Sequence, residues 1–302
     1  MELRQLQYFV AVVEEGGFTR AATRLHLAQP GVSAQIRRLE RELGQPLLDR
    51  TGRTVRLTPV GAAVLPQARA ALAAAAAVRE TADAHTGLLR GQVTLGLVTG
   101  AAERAFDIPG LLADFHAAHP HVEIALTEDS SERMLTALRQ GDLDLAAVGV
   151  ADADPPAGLT YEILVDDPLV AAVHPDDPLA RRGRLPLDVL DGRRLISLPH
   201  GTGVRAVLER ACAGAGFRPH IAFEAGAPLV LARFAARGLG VAVLPEISAA
   251  QADEIGVRVL PFEDPALRAR VALTWRSAGP PSPAAAALLD LLRAALVPGA
   301  GG

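Results

Sequence analysis

A chain of 302 residues is longer than one small core organises, so about two domains are expected. Its single cysteine, Cys212, excludes an intrachain disulfide, and a net charge of −4 conceals a division of sign. Residues 1–60 carry nine arginines against six acids, a balance of +3, while the remainder stands at −7, as expected when only one part meets polyphosphate. All basic residues are arginine and alanine is abundant, which fits coding by a GC-rich bacterial genome.

The first informative stretch is 18–58. Thr19 is placed as an N-cap before a short helix through Leu25, where its hydroxyl can accept a free first-turn amide hydrogen. His26-Leu27-Ala28 is long enough only for a turn, and Gln29-Pro30 then opens a second helix with Pro30 at its first position. Val32, Ile36, Leu39 and Leu43 recur at spacings of four, three and four and form the inward stripe. Gln29, Ser33, Ala34, Arg37 and Arg41 project elsewhere, and Gly44 ends the helix. Two helices across a three-residue turn make a helix-turn-helix, whose second helix enters a major groove of double-stranded DNA. From Leu47 to Leu57, Val55 and Leu57 alternate with Arg56 across a Thr51-Gly52-Arg53 tip, the pattern of a small hairpin or wing. Arg50, Arg53 and Arg56 there suit phosphates or a narrow minor groove.

Leu6-Gln7-Tyr8-Phe9-Val10-Ala11, Gly17-Phe18-Thr19-Arg20-Ala21-Ala22, the run from Gln29 to Ile36, Leu39-Glu40, Leu43-Gly44 and Arg50-Thr51-Gly52-Arg53 together resemble the head of the LysR-type transcriptional regulators. That resemblance implies base contacts by Gln29, Pro30 and Ser33, entry of Arg53 into the minor groove, and phosphate contacts by Thr19 and Arg50. Many members carry Arg or another polar residue where this chain has Ala34, so one base contact is absent or replaced by contact with a thymine methyl. Leu48 stands where Phe is usual, a departure that touches packing alone.

Thr58-Pro59 repeats the cap-then-proline signal and starts an alanine-rich linker helix ending near Gly87. Leu65, Ala68, Leu72 and Ala75 keep the spacing of a coiled-coil seam, open to a partner helix or to the helix's own domain. The resemblance implies pairing between two chains, as a homodimer or a dimer of dimers.

From Gly91 the pattern turns to short strands at 93–97, 122–126, 143–148, 169–174, 195–198, 221–224, 241–244 and 271–275, with helices between most of them. A largely parallel, doubly wound sheet is expected. Proline- and acid-rich crossings place hinge strands near 162–166 and 261–267, a final helix at 284–296 returns to the first lobe, and the 298–302 tail should be disordered. The expected fold is an N-terminal all-α winged helix-turn-helix over 1–58, a linker helix over 59–88, and an α/β two-lobed, periplasmic-binding-protein-like effector domain over 91–302. Its first lobe covers about 91–162 and 267–302, its second about 163–266.

Two such lobes bind ligand in the cleft at the carboxyl ends of strands. The candidates are Thr99-Gly100, Ser130-Ser131 and His200-Gly201-Thr202, the last opening a helix at 204–215 whose positive end, with Arg205 nearby, suits a small anion. LysR-type regulators bind small inducers at matching loops, so the resemblance implies the same. Ser130, Ser131 and Thr202 also read as ordinary N-caps.

Enzyme readings lack a motif: there is no Gly-x-Ser-x-Gly elbow, Walker loop or dinucleotide fingerprint, and no cofactor is expected. His116, His119 and His121 should diverge, since His119-Pro120 ends a helix and His121 begins a strand, so no metal site is expected. Cys212 reads as a small buried filler, which argues against two-cysteine peroxide sensing. No signal peptide is seen, and no apolar run approaches membrane-spanning length once the linker is discounted, so a cytoplasmic protein is expected. The alternative is a solute-binding receptor of a transport system, which would show an export signal in place of the head. Activation would require contacts with RNA polymerase, which leave no readable motif.

Overall fold

The structure, a computed structural model, describes residues 1–50, 55–84, 88–98, 107–152 and 154–296. It forms two compact units, one built chiefly on Met1–Gly91 and the other chiefly on the residues that follow.

The first unit opens with α1 (Leu3–Glu14), a helix whose start is marked by the Glu2 amide donating to Gln5 Oε1 at 2.8 Å. Leu6, Phe9, Val10 and Val12 of α1 are buried, and α2 (Phe18–Arg24) and α3 (Gln29–Leu43) pack against it. Gly17, not Thr19, occupies the N-cap of α2, because half-buried Phe18 already enters the helix to reach the core. Thr19 is left exposed in the first turn, its carbonyl accepting the Thr23 hydroxyl at 3.1 Å. The turn to α3 includes His26 in the left-handed region (φ 54), and Ala28 precedes Gln29 and Pro30 in the first turn of α3.

Val32, Ile36 and Leu39 are fully buried, but Leu43 is 40% exposed, since the helix outruns the core before Gly44 stops it at φ 70. The wing follows as β1 (Leu48–Asp49) antiparallel to β2 (Arg56–Leu57). Its tip, 51–54, lies outside the described residues.

Helix α4 (Pro59–Ala84) begins where the Thr58 hydroxyl accepts the Gly61 amide at 2.9 Å and donates to Pro46 O at 2.7 Å. Its 59–78 portion is the one helix among the described residues long and apolar enough, by length and composition, to cross a membrane. Near its start, however, Gly61 and Ala68 are buried, and Val64, Leu65, Ala71 and Leu72 pack on the core of the head. The expected interchain seam of Leu65, Ala68 and Leu72 is thereby largely used within the chain.

The second unit contains β3 (Gly91–Val98), α5 (Ile108–Ala118), β4 (Val122–Asp129), α6 (Ser131–Gln140), β5 (Leu145–Val150) and the long β6 (Leu159–Val173). Then come β7 (Arg194–Ser197), α7 (Gly203–Gly214), β8 (His220–Glu224), α8 (Pro228–Ala236), β9 (Val241–Pro245), α9 (Ala249–Ile255), β10 (Arg258–Pro261), β11 (Arg268–Arg276) and α10 (Pro283–Leu296). Strand order is β4-β3-β5-β11-β6-β9-β7-β8, with β10 also on β6.

The sheet is mixed and not largely parallel. β11 runs antiparallel to both β5 and β6, and β6 is antiparallel to β9 and β10. The chain crosses between the halves once in each direction, so the crossing strands must oppose one another. The expected hinge at 162–166 falls inside continuous β6, whereas 262–267 is irregular and the return crossing is carried by β11. Separate cores flank the crossing, one holding Met134, Leu138, Val148 and Ala272, the other Leu169, Leu195, Leu231 and Leu244. α10 lies by the crossing strands, where Arg293 pairs with Glu162 and covers the Trp275 ring.

Candidate functional site

The head presents the polar side of α3. Gln29, Pro30, Ala34 and Arg37 are exposed and Ser33 is half-buried, opposite the apolar stripe that fixes the helix. Arg37 and Arg41 line a shallow groove with Ala34, Glu40, Gly44, Gln45 and Pro46. Glu40, read in the sequence only as part of the family motif and given no role, ties helix to wing: Oε1 accepts the Leu47 and Leu48 amides at 3.0 and 3.2 Å, and Oε2 accepts Arg50 at 2.7 Å. Arg50 also covers the Phe18 ring at 5.1 Å, so its guanidinium is already partnered within the head. Arg53 lies outside the described residues. The surface can offer polar side chains to base edges and guanidinium groups to phosphates.

In the second unit, a cleft of about 310 Å³ lies between the carboxyl end of β5, the start of α6 and the start of α7. His200, Gly201 and Thr202 line it together with Ser131. Ser131 is buried as the first residue of α6 and its Oγ accepts the Gly149 amide at 2.9 Å, so it joins strand to helix in place of the capping role foreseen as its alternative. Ser130 is not in the lining; its hydroxyl accepts the Arg133 amide at 3.4 Å, the capping role foreseen as its alternative. Thr202 caps α7 by accepting the Arg205 amide at 3.4 Å and donates to Pro199 O at 2.8 Å. Thr99 and Gly100 lie outside the described residues.

Arg205 reaches the cleft with its charge already matched, bonding Glu209 at 2.6 Å and Glu224 at 2.7 Å. Arg210 is likewise paired with Asp152 at 2.5 Å. Sequence reasoning missed Gly149, Glu132, Tyr161, Arg210 and the acids of the 152–154 crossing as cleft residues. Asp152 and Asp154 were visible only as linker composition, and the others carry no local signal. Tyr161 donates to Asp152 O at 2.7 Å, and burial, then Asp154 and Asp152, push its phenol up from its ordinary value. Cys212 is fully buried in α7, and burial pushes its thiol up to about 11.

A helix-turn-helix head with a cationic wing and a separate two-lobed α/β unit with a cleft define a DNA-binding regulator that carries its own ligand domain. The family models agree: residues 3–62 match "Bacterial regulatory helix-turn-helix protein, lysR family", and residues 86–297 match "LysR substrate binding domain". The chain belongs to the LysR-type transcriptional regulators and is not an enzyme.

Among its relatives is a "Hydrogen peroxide-inducible genes activator" from Dickeya chrysanthemi, 32% identical over 93% of this chain and 91% of that protein. The "Transcriptional dual regulator GltC" of Bacillus subtilis (strain 168) is 32% identical over 90% of each chain. Among solved structures, a full-length OxyR cysteine variant from Pseudomonas aeruginosa matches with TM-score 0.73 and 29% identity, over 97% of this chain and 98% of that one.

Proposed function

We propose that this regulator reads its operator with Gln29, Pro30, Ser33, Ala34 and Arg37 of α3, assisted by Thr19, Arg50 and the wing's Arg53, and changes its output when a small effector occupies the cleft at Ser131 and His200 to Thr202. The cleft between two separately cored lobes carries the reading. An anionic effector is favoured by the amide end of α7 beside His200. Arg205 and Arg210 are already neutralised, while Glu132 and Asp154 also line the cleft, so a singly charged anion fits better than a dianion. Thr99 and Gly100, by their place after the first strand, belong to the same proposal.

The protein acts as a homodimer or a dimer of dimers, because one head engages one half-site. The exposed side of α4, with Val60, Ala63, Ala70 and Ala74 at spacings of three, seven and four, supplies the pairing face. Activation brings it against RNA polymerase. Peroxide sensing is not carried over from the similarly built activator: a buried thiol at about 11 supplies little thiolate, and Cys212 is the only cysteine.

The test is a DNase footprint upstream of the protein's own gene, with and without a panel of small monocarboxylates and dicarboxylates. A two-part protected site altered by a monocarboxylate is expected. Thr202→Val should keep the footprint and remove the response, while costing about 1 kcal/mol in α7 through the lost cap. A protected site altered by dicarboxylates alone would reject the charge assignment.

A further inference from the structure

The walls of the cleft touch where neither lobe's own fold requires it. Gly149 is the last residue but one of β5 on one side, and Gly203 opens α7 on the other. A Cβ on Gly203 would stand 2.6 Å from the Gly149 carbonyl carbon and 2.7 Å from Val150 N. Backbone meets backbone there only because no side chain intervenes. Gly149 is itself held firmly, its amide donating to buried Ser131 Oγ at 2.9 Å.

One residue along α6, the Glu132 amide donates across the cleft to Gly201 O at 3.3 Å. A first-turn amide has no partner inside its own helix, and here the opposite lobe supplies one. Gly201 turns its carbonyl to that position through left-handed backbone (φ 84). Farther out, Arg210 of α7 grips Asp152, whose carbonyl holds the Tyr161 hydroxyl.

We propose that Gly149 and Gly203 form a steric stop that sets the lobe separation, with the Glu132–Gly201 hydrogen bond as its clasp and the Asp152–Arg210 pair as an outer latch. β6 and β11 bridge the two cores and supply the pivot, while the stop limits how far the lobes approach. Stop, clasp and latch all line the cleft, so a molecule that enters bears on the contacts that fix lobe geometry. The regulatory consequence rests on the cleft as effector site; the stop does not.

Amide hydrogen exchange on the full-length protein, without effector or DNA, tests it. Gly203→Ala leaves the new methyl no room, and because Ala is the better helix former, lost propensity cannot account for the effect. The peptide carrying Glu132 should exchange about tenfold faster, with the two lobe cores unchanged. Unchanged exchange at that peptide with intact cores would overturn the stop.

Should Gly203→Ala loosen the cores as well, the latch decides. Asp152→Arg and Arg210→Asp should each speed exchange at the same peptide, and the double exchange Asp152→Arg/Arg210→Asp should restore it. Single variants without effect, or a pair that does not restore, would overturn the coupling of latch to clasp. Loss of every operator footprint would reject the operator and effector reading proposed above and leave this result standing, because the exchange measurement involves no DNA.

Discussion

Glu40 shows how one carboxylate can organise a reading head. It sits on α3, is largely buried, and satisfies two wing amides while neutralising Arg50. Replacing it by Ala orphans those amides and should cost about 1–3 kcal/mol, read as a lower Tm in thermal denaturation of the full chain. An unchanged Tm would show that water takes its place. The proposed base readers behave differently: Gln29→Ala or Ser33→Ala should cost about 1–3 kcal/mol at the operator and little on random DNA. Equal losses on both would reject base reading. Arg53→Ala should instead weaken all DNA and flatten the salt dependence by about one counterion. The exposed face of α3 was legible in the sequence because period alone separates it from Val32, Ile36 and Leu39. Glu40 was not, because its role depends on which amides the wing brings to it.

At the scale of elements, the linker helix takes one of the two partners its spacing left open. The three-four spacing of Leu65, Ala68 and Leu72 established that α4 has an apolar face, yet periodicity cannot say what covers it. In the structure it is the head's own core, with Ala68 buried against it. Gly61 makes the docking close: a Cβ there would lie 2.0 Å from Leu47 O and 2.9 Å from the Leu47 carbonyl carbon. Helix propensity favours Gly61→Ala by about 1 kcal/mol. Overpacking against backbone costs about 1–3 kcal/mol or more, since a main-chain carbonyl cannot rotate away. The variant should therefore lower the stability of the head in a denaturant titration; a gain would mean that α4 shifts freely over β1. Thr19 is a smaller lesson of the same kind: a good capping residue lost its place because Phe18 was needed in the helix for packing.

Across the whole second unit, the crossing strands couple charge to pH. Burial disfavours the Asp166 carboxylate, but hydrogen bonds from Arg268 at 2.8 Å and Arg270 at 3.2 Å outweigh it and hold the group below its ordinary value. A carboxyl lowered in the folded state contributes stability that is fully present above its unfolded pKa and is lost as pH falls through the folded value. Acid unfolding should therefore begin within and below the ordinary carboxylate range, and Asp166→Asn should flatten the pH dependence of stability there while leaving neutral pH less stable. An Asn variant with the wild-type acid profile would remove Asp166 from that role. The mixed sheet belongs to this scale too, because antiparallel pairing of β6 with β11 follows from chain crossings made in opposite directions.

By itself the sequence determined the elements with strong local signals: the capped and proline-started helices, the apolar stripe of α3, the alternation of strands and helices after Gly91, and the cationic head set against an acidic remainder. These are properties of neighbours along the chain, so spacing and charge reveal them. Tertiary structure alone decided what covers the apolar face of α4, that Arg205 and Arg210 enter the cleft already paired, and that Gly149 meets Gly203. Those outcomes depend on groups more than fifty residues apart in several cases, and burial, hydrogen-bond satisfaction and backbone contact are settled only when packing brings them together.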